Sequence, residues 1–314
     1  MKAVRISEGS LRLTDAPMPC PETHEALIRV LMAGICNTDL ELLKGYMNFS
    51  GIPGHEFVGL VESAPSRPEL VGRRVVGDIN IGSGPGDNRH APGRTVLGIL
   101  GKDGAFAQYL TLPVWNCHIV PDNVNDQTAV FAEPLAAALE VGQQVHLRAG
   151  DRVAVLGDGK LGVLIALALR HLCPGVVLVG KHQDKLAIAA AQGVRTALAG
   201  DISGPFDVVV EATGRPEGIT SAMALVRDEG VIVLKSTTEA ASCLDISRIV
   251  VREITLIGSR CGDTALALNH LSHGLVDPSG LVEAVLPFED VEEAFRLAAR
   301  PGARKVLVRM PSTL

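Results

Sequence analysis

Cys36, His55, Glu56 and Glu133 are metal-ligand residue types gathered into three short segments: Gly34-Ile35-Cys36-Asn37-Thr38-Asp39, Gly54-His55-Glu56 and Ala132-Glu133-Pro134-Leu135-Ala136. Cysteine, histidine and glutamate all bind zinc, and three protein ligands leave a fourth tetrahedral position open for water or substrate. An open position is the mark of a catalytic ion. No second histidine follows His55-Glu56 at the spacing of a zinc-protease helix. Taken singly, Cys36 suits a small buried hydrophobe and His55 a core residue; their combination points to a metal.

A second chemistry is written in Gly157-Asp158-Gly159-Lys160-Leu161-Gly162, which follows the β-branched run Val153–Leu156 and opens an apolar stretch suited to a helix. In such a strand-turn-helix the first glycine permits the tight turn and the second lets the backbone approach a pyrophosphate. The third allows close packing of helix on strand, while the helix N-terminus offers amides to the anion. Gly157, Gly159, Lys160, Leu161 and Gly162 are therefore candidate nucleotide-binding residues. About 20 residues on, where an acid commonly holds the adenosine ribose, the chain reads Gly180-Lys181-His182. Without that carboxylate, and with Lys181 and a protonatable His182 supplying positive charge, the segment favours NADP(H) over NAD(H). The alternative is an ordinary solvated loop.

The elements that must position these residues follow from pattern. The 314 residues suit two domains at roughly 150 residues each. With 47% hydrophobic and 20% charged residues the chain has material for buried sheets. Short strands are expected at 3–6, 25–31, 57–62 and 74–76, with a helix over 38–44 capped by Thr38. Residues 82–93 hold four glycines and two prolines and read as an exposed loop. From Val153 strands and helices alternate: strands at 153–156, 176–179, 207–211, 230–235 and 253–257, helices at 161–172 and from Asp184 to about Gly193. That alternation predicts a parallel α/β sheet. Val291, Ala294, Phe295 and Ala298 mark an amphipathic helix before a closing strand at 305–308.

Other classes fall away. The net charge is −6 and no run of five like charges occurs, so nucleic acid is not an expected partner. The longest apolar stretch, 161–169, is far short of the roughly 20 residues of a membrane span. Six scattered cysteines without a CxxC pair argue against a disulfide framework or a thiolate cage. The first eight residues lack the apolar core of an export signal, so the cytoplasm is the expected location.

Together the two constellations resemble the zinc-dependent medium-chain alcohol dehydrogenases, especially their polyol and threonine dehydrogenase-like branch. Asp103-Gly104-Ala105-Phe106-Ala107-Gln108-Tyr109, Glu211-Ala212-Thr213-Gly214 and Gly258-Ser259-Arg260 match that family's recurring stretches in order, so the resemblance covers essentially the whole chain. It implies an α/β protein: a GroES-like β-rich catalytic domain (1–133 and 261–314) interrupted by a Rossmann doubly wound parallel-sheet domain (134–260), with zinc and nicotinamide meeting in the cleft between them. It further implies that Cys36 and His55 bind one catalytic zinc, with Glu56 or Glu133 completing the shell. By the same resemblance Asp39 orients the liganding histidine, Thr38 receives the alcohol proton, and Thr213 and Arg260 join the cofactor site. The implied substrate is a secondary alcohol or polyol, or its carbonyl product, and the implied assembly a homodimer or homotetramer. Two departures stand out. Relatives often carry a histidine where this chain has Glu41, and segment 82–93 has none of the four cysteines that bind a second, structural zinc. That second ion is expected to be absent.

Overall fold

The computed structural model describes residues 1–86, 88–237 and 241–311. Two compact units emerge: one of 1–133, 264–274 and 278–314, the other of 134–263 and 275–277. Counted over the described residues, the first unit holds a seven-stranded sheet and the second a sheet of six.

In the first unit, the strand Glu25–Gly34 is the hub. It pairs antiparallel with Glu56–Ser63 and Tyr109–Pro113 and, at its far end, with Lys305–Arg309, a strand from the chain's return. Its residues Ala26, Ile28, Val30 and Ala33 are fully buried, as expected for a strand covered by neighbours. The expected amphipathic helix forms as Val291–Ala298, burying Val291, Ala294, Phe295 and Ala298. Segment 82–93 adopts turns and bends between the paired strands Asn80–Ile81 and Thr95–Leu97; Asp87, within it, lies outside the described residues.

The second unit is wholly parallel. Its sheet runs Arg195–Leu198, Val177–Gly180, Val153–Leu156, Phe206–Glu211, Val226–Leu234, Thr255–Gly258. Numbered along the chain this is the order 3-2-1-4-5-6 of the Rossmann fold, with the strand order reversing beside Val153–Leu156. Val153, Ala154 and Val155 are fully buried, because both faces of a central parallel strand are covered. The edge strand Arg195–Leu198 has no counterpart in the sequence reading. It is half-exposed and begins with Arg-Thr, so it lacks the apolar run that marks its neighbours. Among the described residues, no helix is long and apolar enough to cross a membrane.

Candidate functional site

The metal-ligand candidates converge within the first unit. Gly34 ends the hub strand, and the helix Asn37–Leu43 starts just beyond it with Cys36 as its N-cap. The cap differs from expectation: Asp39, not Thr38, closes the first turn, its Oδ2 accepting the Cys36 backbone N–H at 2.8 Å. A carboxylate at the third helical position reaches back to an orphan amide more directly than a hydroxyl one residue earlier. The other Asp39 oxygen accepts the Gly54 N–H at 3.1 Å, so one buried carboxylate ties the Cys36 turn to the segment carrying His55.

Gly54 holds φ at +102°, and a Cβ there would lie 2.7 Å from the Phe106 ring, so the sharp approach to His55 needs glycine. His55 is 3% exposed, and its Nδ1 lies 3.6 Å from Asp39 Oδ1 with no hydrogen-bond partner. Burial pulls the His55 pKa down, but Asp39 and Cys36 override it and hold it well above the usual imidazole value. The imidazole therefore sits between two acidic groups, as a metal-binding ring and its orienting carboxylate do.

Donor atoms of Cys36, His55 and Glu56 all lie within 4.8 Å of one another. Zinc bonds of about 2.0–2.3 Å place ligands on one ion roughly 3.3–3.8 Å apart, so small movements would close this set on a cation. The mixture of thiolate, imidazole and carboxylate suits zinc. Glu133, in the first turn of the helix Ala132–Gln144, is outside the 4.8 Å set. The Cys36 Sγ lies 3.7 Å from Thr38 Oγ1, bringing the expected proton acceptor beside the donor set. Glu41 pairs with Lys44 at 2.8 Å on the exposed side of the same helix.

Lys305 is a member of this site that sequence reasoning missed. Its ammonium donates to Glu56 Oε2 and to the Ile35 carbonyl at 3.3 Å, and it stands 5.9 Å over the Phe131 ring. Burial pulls its pKa down, yet Glu56, Cys36 and Asp39 hold it above the usual lysine value, so it stays charged. The only signal was a lysine heading the apolar run Val306-Leu307-Val308.

In the second unit the glycine turn meets its three requirements. Gly157 has φ +113°, and a Cβ on Gly162 would collide with the Gly157 carbonyl oxygen. A Cβ on Gly159 meets nothing within 4 Å among the described residues, which leaves the open approach a pyrophosphate requires. The helix runs Lys160–Leu169, starting one residue before the expected Leu161 and ending before 172. Asp158 turns toward the segment after Val177–Gly180: its Oδ2 accepts the Lys181 and His182 N–H groups at 2.6 and 2.7 Å. Burial favours its neutral form, but these bonds and the His182 ring hold its pKa below the usual carboxylate range. Thr213 donates its hydroxyl and its N–H to Glu211 Oε1 at 2.6 and 2.8 Å, which shapes the turn after Phe206–Glu211. Arg260 is exposed, and its carbonyl accepts from the buried Lys235 at 2.8 Å.

Comparison with known proteins gives the family of the chain. The family model of the alcohol dehydrogenase GroES-like domain matches residues 22–122. The chain is 30% identical over 334 residues to L-threonine 3-dehydrogenase of Streptomyces avermitilis, covering 96% of both chains. It belongs to the medium-chain alcohol dehydrogenase family. Among solved structures of this alcohol dehydrogenase fold, the NADH complex of rspB from Escherichia coli superposes with a TM-score of 0.90 at 25% identity, covering 98% of this chain and 99% of that one. A zinc-binding dehydrogenase from Sinorhizobium meliloti bound to NADP gives 0.89 at 26% identity, covering 98% of each chain.

Proposed function

We propose that this medium-chain dehydrogenase is a zinc enzyme that interconverts a secondary alcohol or polyol with its carbonyl product, using a nicotinamide dinucleotide. The observation that carries the reading is the convergence of Cys36, His55 and Glu56 within 4.8 Å, in a chain that also carries the open glycine turn at Gly159. Cys36, His55 and Glu56 would hold the metal, with Glu133 the alternative third ligand. When bound, zinc supplies a Lewis acid that makes an alcohol hydroxyl more acidic, and the nicotinamide supplies the hydride acceptor. Asp39 pins the backbone at Cys36 and Gly54 and so orients both ligand segments. Thr38 Oγ1 would accept the substrate hydroxyl proton as its own hydroxyl proton is passed on toward solvent, so that it acts as a relay and stays neutral. Gly157, Gly159, Lys160, Leu161 and Gly162 seat the pyrophosphate, with Thr213 just past the adjacent strand Phe206–Glu211 and Arg260 just past the edge strand Thr255–Gly258. Segment 82–93, without cysteine, would hold no second zinc.

The assembly we propose is a homo-oligomer. It is supported by the open edge strand Thr255–Gly258 and by Ile246, Val250 and Val251, which are 69%, 69% and 82% exposed on the helix Ile246–Val251.

Zinc content by elemental mass spectrometry, on protein purified without chelators, tests the reading together with an alcohol and polyol panel. About one zinc per chain and dinucleotide-linked turnover are expected. Zero zinc after incubation with the metal, alongside carbonyl or quinone reduction, would replace it with a zinc-free reductase.

A further inference from the structure

We propose that Asp158 selects the cofactor, accepting the adenosine ribose diol of NAD(H) and rejecting the 2′-phosphate of NADP(H). This deepens the dehydrogenase reading and rests on it. It also reverses the preference that Lys181 and His182 suggested in the sequence.

The strand Val177–Gly180 ends in a residue without a side chain, at the place where a Rossmann unit commonly presents the ribose-binding acid. That place is nevertheless filled. A Cβ on Gly180 would collide with Asp158 Oδ2 and fall 2.5 Å from the Asp158 Cβ. The carboxylate missing from the strand end is thus delivered from across the turn, and Gly180 and Asp158 are complementary: a side chain on one excludes that of the other.

Its partners fix its orientation. Oδ2 accepts the Lys181 N–H, the His182 N–H and, at 3.0 Å, the His182 ring Nδ1. Because an ionised carboxylate only accepts, Nδ1 is the nitrogen that carries the proton. These are the donors that a 2′-phosphate would need at this loop, and a carboxylate already holds them. Among the described residues Oδ1 has one hydrogen-bond partner, the same Nδ1 at 3.1 Å, and so retains a lone pair for a hydroxyl donor. A ribose diol can donate to it. A phosphate dianion cannot, and meets like charge at close range. The Lys181 side chain is exposed, and a solvated surface ammonium offsets little of that repulsion.

The test is equilibrium binding of NADH and NADPH, read by nucleotide fluorescence. Wild-type protein should bind NADH at least about tenfold tighter than NADPH, given like charges a few ångströms apart. Asp158→Ala, which frees both amides, should narrow or invert that ratio, and Lys181→Ala should leave it within about twofold. Tighter NADPH binding by the wild type, or a tenfold or greater loss of NADPH affinity in Lys181→Ala, would overturn the proposal. Should Asp158→Ala not fold, the wild-type ratio and Lys181→Ala still decide. Binding of neither dinucleotide would refute the dehydrogenase reading and this assignment together, whereas dinucleotide binding with the wrong ratio refutes the assignment alone.

Discussion

Lys305 and Glu56 form an ion pair whose side chains are 2% and 1% exposed. The pair joins a strand of the chain's return to the strand Glu56–Ser63 and engages one of the two Glu56 oxygens. A metal held by Cys36 and His55 would therefore meet a carboxylate already fixed and partly neutralised by an ammonium.

Removing one member of such a pair leaves an uncompensated charge in a dry site. Lys305→Met is expected to lower the unfolding free energy of metal-free protein by roughly 3–5 kcal/mol, with Lys305→Met/Glu56→Gln recovering most of the loss. Urea unfolding of the single and double variants in chelator checks this. Equal destabilisation in both would mean that packing, rather than charge pairing, governs the site.

The two glutamate candidates separate by zinc affinity. Cys36→Ala should abolish zinc retention, and Glu56→Gln should weaken it by about tenfold or more, as loss of a ligand or of its close support does. Glu133→Gln, outside the donor set, should change it less than about threefold. Competition against a chromophoric chelator gives the three constants, and a larger effect from Glu133 would reassign the third ligand.

Gly54 is the backbone hinge on which His55 depends. Gly54→Ala forces a side chain into the left-handed region and against buried Phe106, costing about 2 kcal/mol or more. Thermal unfolding and zinc content should fall together. A variant of unchanged stability that keeps its metal would show that the turn adapts.

Acid sensitivity has an assignable source in Glu25, whose carboxylate accepts from Lys102 Nζ at 2.6 Å. Burial raises the Glu25 pKa, but Lys102 and the Glu22 N–H outweigh it and leave it below the usual value. A carboxylate depressed on folding contributes stability above its unfolded pKa, about 4.3, and loses it as pH falls through the lower folded value. Urea midpoints should therefore drop between pH 6 and pH 3, and Glu25→Gln should flatten that drop. An unchanged slope in the variant would locate the acid response elsewhere.

Local pattern carried much of the fold into the sequence. The glycine turn is legible because all its requirements lie within six residues, and strands after it contain apolar runs such as Val208-Val209-Val210 and Val231-Ile232-Val233. Arg195–Leu198 was missed because an edge strand, wet on one side, needs no such run. The metal set was legible as residue types, since Cys36, His55 and Glu56 each sit beside a turn glycine or a helix start. Lys305 was not, because its partner lies 249 residues away and no local rule places a lysine in a core. Asp158 stood inside a recognised motif, but its role depends on which way the carboxylate turns, a matter of tertiary packing against Gly180.

The return strand Lys305–Arg309 also bears on the order of events during synthesis. The hub strand Glu25–Gly34 and Glu56 leave the ribosome early, while the strand and ammonium that complete them follow 249 residues later. At about 5–20 residues per second that is a wait of roughly 12–50 s, with a strand flank and a carboxylate exposed. The six-stranded unit has all its strands in one continuous stretch and can close in the interval. The nascent first unit is thus the part of the molecule that waits longest for its final partners, and its metal set is among the last features to reach final electrostatic balance.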